Sequence, residues 1–419
     1  MPGGDTAATM QAKAPPSPEQ TPEGQLRAAL LVMLAGVCAA LHVGKLAPAI
    51  TVLVEALGMS LLQAGFLLSL VQLAGMSLGL AFGSVADALG SRRSMLTGLA
   101  VLAAASVVGA GASHVLLMMA LRALEGFGFL LVVLPAPGLV RRLAPPGRAS
   151  AMLGMWGGYM PAATAAALLL GPLCISALGW RAWWLLLGLL TAAMALWLAR
   201  AVPELPRVPA PATVVSTARW TSRLRRTVTA SGPWLVALSF AVYSGQWLAV
   251  IGFLPTIYAQ AGVPAGAIGA LTALAAAVNI AGNISSGQLL QRGVRPQRLL
   301  ATGFAVMGLA AVATFAGASG PGLPASLRYL AVLLFSGMGG LIPGTLFALA
   351  VRVAPGEDTL GTTVGWMQQW SAAGQFLGPP LVAALAARVG GWHWTWLFTG
   401  VCAITGLVLA GLLARRLQR

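Results

Sequence analysis

Long apolar runs separated by short polar breaks fill this chain. Runs long enough to cross ~30 Å of hydrocarbon fall at about 26–50, 61–82, 94–112, 114–140, 149–172 and 182–199. A second set follows at about 233–256, 266–290, 299–317, 326–350, 360–387 and 394–413. The pattern predicts an all-α membrane protein with twelve transmembrane helices in two six-helix bundles. The one long polar stretch, rich in Pro and Arg, lies between the sets and reads as a linker. The expected organisation is a disordered tail over 1–25, a first bundle over 26–199, a linker over 200–232, a second bundle over 233–413 and a short tail over 414–419. The first run reads as a retained span, not a cleavable signal.

The two sets echo each other. Pro48 ends the first helix as Pro255 ends the seventh, Gly171-Pro172 recurs as Gly378-Pro379, and Gly179-Trp180-Arg181 is matched by Gly391-Trp392-His393. With Gly83 to Arg93 matched by Gly287 to Arg298, the offsets of about 204 to 212 residues are what a duplicated six-helix unit leaves behind, making the bundles pseudo-symmetric. Such a repeat suits rocking of one half against the other around a midplane site.

Composition narrows the class. The charged fraction is 8% and the apolar fraction 58%, against about 25% charged in ordinary globular domains. A net charge of +16 raises the possibility of nucleic acid, but the arginines sit in short clusters between apolar runs. Of 25 basic residues, Lys45 and Arg122 lie inside apolar runs and Arg181, Arg328 and Arg388 on one face; the other twenty fall on the opposite face. Basic residues concentrate on the cytoplasmic side, so both termini are expected to be cytoplasmic in a bacterial inner membrane. Cys38, Cys174 and Cys402 form neither a metal spacing nor a disulfide framework. No nucleophile–base set, phosphate loop or metal cluster suggests an enzyme or a pump driven by ATP, and no cofactor or metal is expected.

Between the second and third helices the chain reads Gly83-Ser-Val-Ala-Asp87-Ala-Leu-Gly90-Ser-Arg92-Arg93, and the fourth helix carries Arg122-Ala-Leu-Glu125-Gly126-Phe-Gly128. With Trp156-Gly-Gly-Tyr159-Met-Pro161 and Gly171-Pro172, these motifs resemble those of the major facilitator superfamily over nearly the whole chain. The resemblance implies a conformational gate at Gly83, Asp87, Gly90, Arg92 and Arg93, although Ala88 and Ser91 stand where that family usually has basic residues. It also implies a core arginine, Arg122, tied to proton coupling or substrate. Together with Glu125-Gly-Phe-Gly128 and the Trp-Gly-x-Tyr-Met-Pro stretch, His42-Val-Gly-Lys45-Leu-Ala-Pro48 resembles the cyanate and nitroimidazole transporter-like branch, whose solutes are too diverse to name a cargo.

Lys45 is the only lysine besides Lys13. A charge at that depth costs several kcal/mol and is paired or lines a path for solute or protons. His42 and Lys45 share one helical face, as do Arg122 and Glu125. Two bases outnumber one acid, so Lys45 and Arg122 are expected to face water between the bundles and contact an anion, with Glu125 competing for one of them and His42 as a second proton site. The alternative is a permanent Arg122–Glu125 pair with Lys45 snorkelling outward and His42 as packing. Tyr159, Tyr243, Gln246, Trp247, Asn279, Asn283, Trp366, Gln369 and Trp370 are the expected aromatic and amide lining for an apolar body. Trp180, Trp183, Trp184, Trp392, Trp394 and Trp396 read as an interfacial belt.

The expected function is secondary active transport of a small organic anion by alternating access, coupled to protons. A multidrug or neutral-solute exporter and an anion exchanger are the alternatives. Membrane lipids are the expected surroundings, nucleic acid is not a partner, and a monomer suffices.

Overall fold

The computed structural model describes residues 22–80, 90–204, 217–317 and 322–417, and every regular element among them is helical. Among the described residues, ten helical stretches are long and apolar enough to cross a membrane. One of these, Tyr159–Ala201, makes two crossings because Gly179, at φ 82°, breaks it in a conformation that the absence of a Cβ permits. Leu360–Val389 completes twelve and is less apolar because it carries Gln368, Gln369, Ser371 and Gln375.

In chain order the first four crossings are Glu23–Leu57, Leu61–Leu80, Ser91–Ala110 and Val115–Leu143. The short helix Ala149–Trp156 leads into the fifth, and Tyr159–Ala201 supplies the fifth and sixth. The seventh to tenth are Ser231–Gln260, Ala265–Gln291, Pro296–Phe315 and Ala325–Val353. Leu360–Val389 and Thr395–Leu417 are the eleventh and twelfth.

The first crossing is interrupted. An α-helix over Pro22–Gly44 gives way to a 3₁₀ turn over Ala47–Ala49 and resumes over Ile50–Leu57. Pro48 causes the break, since it has no N–H to donate and its ring crowds the preceding turn. Two carbonyls left over by the break are taken by side chains of other helices. Arg122 Nη1 donates to His42 O at 2.6 Å, and Trp183 Nε1 donates to Lys45 O at 3.0 Å.

Glycines set the approach of the fourth helix. A Cβ on Gly126 would stand 2.5 Å from the Val71 carbonyl of the second helix, and one on Gly128 would stand 2.8 Å from the Gly98 carbonyl of the third. Helices meet this closely only where a side chain is missing. The duplicated glycines also act alike: Gly171 lies against Pro48 of the first helix, and Gly378 lies against Gly245 of the seventh.

The halves join along the second and eleventh helices, where Gln72 Nε2 donates to Gln375 Oε1 at 3.0 Å and the Leu80 amide donates to Gln369 Oε1 at 3.3 Å. Ala47 and Leu168 of the first half enter the apolar core of the second. Conversely, Ala249, Phe253, Val382 and Ala383 pack with Leu46, Ile50, Leu67 and Leu68.

Gly83 and Asp87 lie outside the described residues. The rest of that motif holds the first half together: Arg92 donates through Nε to Val202 O at 2.7 Å and through Nη2 to Ala199 O at 2.5 Å, capping the sixth helix with positive charge. Arg93 pairs with Glu204 at 2.7 Å, and Gly90 turns the chain at φ 83°. The stretch read as a linker contains a helix of its own, Thr217–Thr229.

Candidate functional site

The first, third, fourth and sixth helices enclose a charged centre. Its members are all buried: His42, Lys45 and Arg122 show no exposed surface and Glu125 only 1%. The Lys45 ammonium has three acceptors, namely Glu125 Oε1, Ser106 Oγ at 2.9 Å and His42 Nδ1 at 3.3 Å. Its three donors are therefore spent. The Trp184 ring also lies 4.7 Å from Nζ, a cation–π contact.

Arg122 holds the other carboxylate oxygen, donating through Nη1 to Glu125 Oε2 at 2.6 Å as well as to His42 O, while its Nε reaches Leu67 O at 3.3 Å. Nη2 has no hydrogen-bond partner among the described residues. Glu125 thus bridges two bases, one saturated and one with donors to spare.

His42 is read through its neighbour Thr191. The Thr191 hydroxyl donates to Leu187 O at 2.7 Å, so its oxygen accepts from His42 Nε2 at 2.8 Å. The ring then carries its proton on Nε2 and accepts from Lys45 at Nδ1, the arrangement of a neutral imidazole. Glu125 Oε1 lies 3.5 Å from the same Nδ1, close enough to receive a second ring proton.

Several sequence expectations change here. Lys45 and Arg122 were expected to face water between the bundles; both are enclosed within the first half. Burying a cation this completely costs less when it is paired and hydrogen-bonded, and Glu125 provides that pairing. Trp183 and Trp184, read as interfacial, are 2% and 1% exposed and form walls of the charged centre. They belong to the stripe Trp180, Trp183, Trp184, Leu187, Thr191, Met194 and Leu198, buried at helical spacing along the sixth helix. That periodicity, with Ser106 on the facing third helix, was the signal available for the missed residues Ser106, Trp183, Trp184 and Thr191. Trp180 and Trp392 are also buried, whereas Trp394 is 40% exposed.

In the second half the expected lining residues separate. Tyr243 and Asn279 bond each other at 3.1 Å, Asn279 also donates to Ser336 O at 2.8 Å, and Asn283 donates to Asn279 Oδ1 at 2.9 Å. Trp247 Nε1 donates to Ser336 Oγ at 3.1 Å. This network ties the seventh, eighth and tenth helices, and Tyr243 and Trp247 sit in the apolar core of that half. Trp366 and Trp370 pack against Trp234, with ring centroids 4.9 and 5.2 Å away, and Gln369 is engaged with the second helix. Tyr159 is half-buried and stacks on Trp156 at 4.5 Å. Gln246 is fully buried, yet neither amide atom has a hydrogen-bond partner among the described residues. It lies three residues before Ala249 and seven before Phe253, on the face that packs against the first half.

A duplicated twelve-helix bundle with a buried charged centre defines a secondary transporter fold. The Major Facilitator Superfamily family model matches residues 32–379, and the chain belongs to that superfamily of transporters. Among curated proteins, the tetracenomycin C resistance and export protein of Streptomyces glaucescens is 33% identical over 100 residues, 24% of this chain and 19% of that one. The match thus spans about a fifth of the relative's length. Among solved structures, a bacterial homologue of the human lysosomal transporter Spinster superposes in two inward-facing forms. The unoccupied form gives a TM-score of 0.73 over 94% of this chain and 97% of that one, at 14% identity. The occupied form gives 0.77 over 93% and 97%, also at 14% identity, a likeness of fold.

Proposed function

We propose that this chain carries a small organic anion across the bacterial cytoplasmic membrane by alternating access, with a proton carried on Glu125 and both termini in the cytoplasm. The observation that carries this reading is the Glu125 carboxylate, bridging Lys45 and Arg122 while Arg122 Nη2 has no hydrogen-bond partner among the described residues. Glu125 occupies the two bases as an anionic solute would. When Glu125 is protonated, the centre holds two positive charges and no negative one, and its field favours an incoming anion. When it is ionised, the bases are recaptured and the anion is released.

Arg122, with donors in reserve, makes the first contact in this scheme, and Lys45 follows once Glu125 lets go. The interrupted first helix supplies the local freedom that this exchange requires. Gln246 supplies a donor and an acceptor from the opposite half.

The test is uptake into proteoliposomes under imposed pH and voltage gradients, using monocarboxylates, dicarboxylates, cyanate-like anions and organic cations. A one-to-one proton–monocarboxylate symporter accumulates the acid when the lumen is alkaline and ignores voltage. Accumulation of organic cations alone would overturn the anion reading. The match to a resistance and export protein favours a second reading, proton-driven efflux of a drug or neutral solute, which predicts exchange of solute against protons in the same assay.

A further inference from the structure

The helix Thr217–Thr229 has a composition that transport between the bundles does not explain. It places Arg219, Arg223, Arg225 and Arg226 within 13 residues and contains no acidic residue. Trp220, Leu224 and Val228 recur every fourth position, so one apolar stripe runs along a basic helix. This is the pattern of a helix that lies in the boundary between water and lipid.

Its position agrees with that pattern. The helix runs into the seventh crossing at Ala230, and Val228 O accepts from Trp234 Nε1 at 2.7 Å. Trp234 belongs to a half-buried aromatic cluster with Trp366 and Trp370, the two latter rings 5.9 Å apart. Clustered tryptophans mark headgroup depth. Thr227 is buried against Thr362, at 2.8 Å, and Arg226 pairs with Asp358, which docks the helix on the second half. Arg225 points away from this seat, exposed and with no protein acceptor among the described residues.

We infer that this helix binds anionic phospholipid headgroups, its basic outer face, with Arg225 exposed on it, holding lipid phosphate. The docked face fixes it to the second half, so the bound lipid sits beside the seventh and eleventh helices.

The test uses the full chain in detergent, titrated with phosphatidylglycerol or phosphatidylcholine and read by native mass spectrometry. The wild type is expected to retain phosphatidylglycerol preferentially, and the double variant Arg219→Gln/Arg225→Gln to lose roughly fivefold in that preference per arginine removed. Arg295→Gln/Arg298→Gln, which removes equal charge from another loop on the same face, is expected to keep it. The inference is overturned if the first double variant binds like wild type, if both variants lose equally, or if inorganic phosphate displaces the lipid. Amide exchange across 217–229 gives an independent reading: slower exchange in phosphatidylglycerol vesicles than in phosphatidylcholine vesicles supports the inference, and equal exchange contradicts it.

Discussion

Arg122 and Glu125 stand one turn apart on the fourth helix and are joined by a 2.6 Å bond from Nη1 to Oε2, both side chains buried. Lys45 holds the other oxygen, so one carboxylate neutralises two bases inside the bundle. Removing it leaves both bases unpaired. Glu125→Ala is predicted to destabilise the detergent-solubilised protein by about 3–5 kcal/mol, seen as a fall in the unfolding temperature. Combining it with Lys45→Met should cost less than the sum of the two single changes, because the pair is then removed together. Additive losses would show that the bridge is not an energetic unit.

Gly126 tests the packing that brings Arg122 to the second helix. Because its missing Cβ faces the Val71 carbonyl, Gly126→Ala is predicted to cost about 1–3 kcal/mol through forced separation of the helices. Gly138→Ala, with open space around the new carbon, should change stability by less than about 0.5 kcal/mol. Thermal unfolding of the two variants side by side checks the contrast.

Trp183 secures the Lys45 carbonyl, which loses its helical donor where the Ala49 amide turns to Leu46 O in the 3₁₀ turn. Trp183→Phe keeps the ring's bulk but loses the bond to Lys45 O, and a loss of about 1 kcal/mol is expected. Trp394→Phe, at a 40% exposed position, should be neutral. Equal effects would mean that the bond to Lys45 O is not what Trp183 contributes.

The helix count was legible because charge is so scarce in this chain that polar breaks stand out. The pairing of His42 with Lys45 and of Arg122 with Glu125 was also visible, since residues three apart share a helical face. What the sequence did not disclose is which way each face turns in a bundle of twelve. Trp183 and Trp184 look like boundary residues from their distance to a loop, but the buried stripe down to Leu198 turns them inward. Trp366 and Trp370 share a face as expected, yet that face meets Trp234. The bond from His42 O to Arg122 depends on a helix break whose side-chain partners cannot be inferred from Pro48 alone.

Proton dependence follows from the direction of the proposed exchange. A proton on Glu125 releases Arg122 for solute, so anion uptake should rise as the pH on the loading side falls. Glu125→Gln carries no ionisable group there, and its residual anion exchange should be flat with pH. Initial rates of exchange across a pH series distinguish the two, and an unchanged pH profile in the variant would place the titrating group elsewhere.

The most direct measurement follows protons themselves. Proteoliposomes loaded with a fluorescent pH indicator are given the transported anion, without any imposed gradient, and lumenal pH is recorded as the anion enters. Wild type is predicted to acidify its lumen in step with anion uptake, while Glu125→Gln exchanges anions without acidification, and Arg122→Ala does neither. Acidification that persists in Glu125→Gln, or anion entry unaffected by Arg122→Ala, would contradict the role given to the bridged carboxylate.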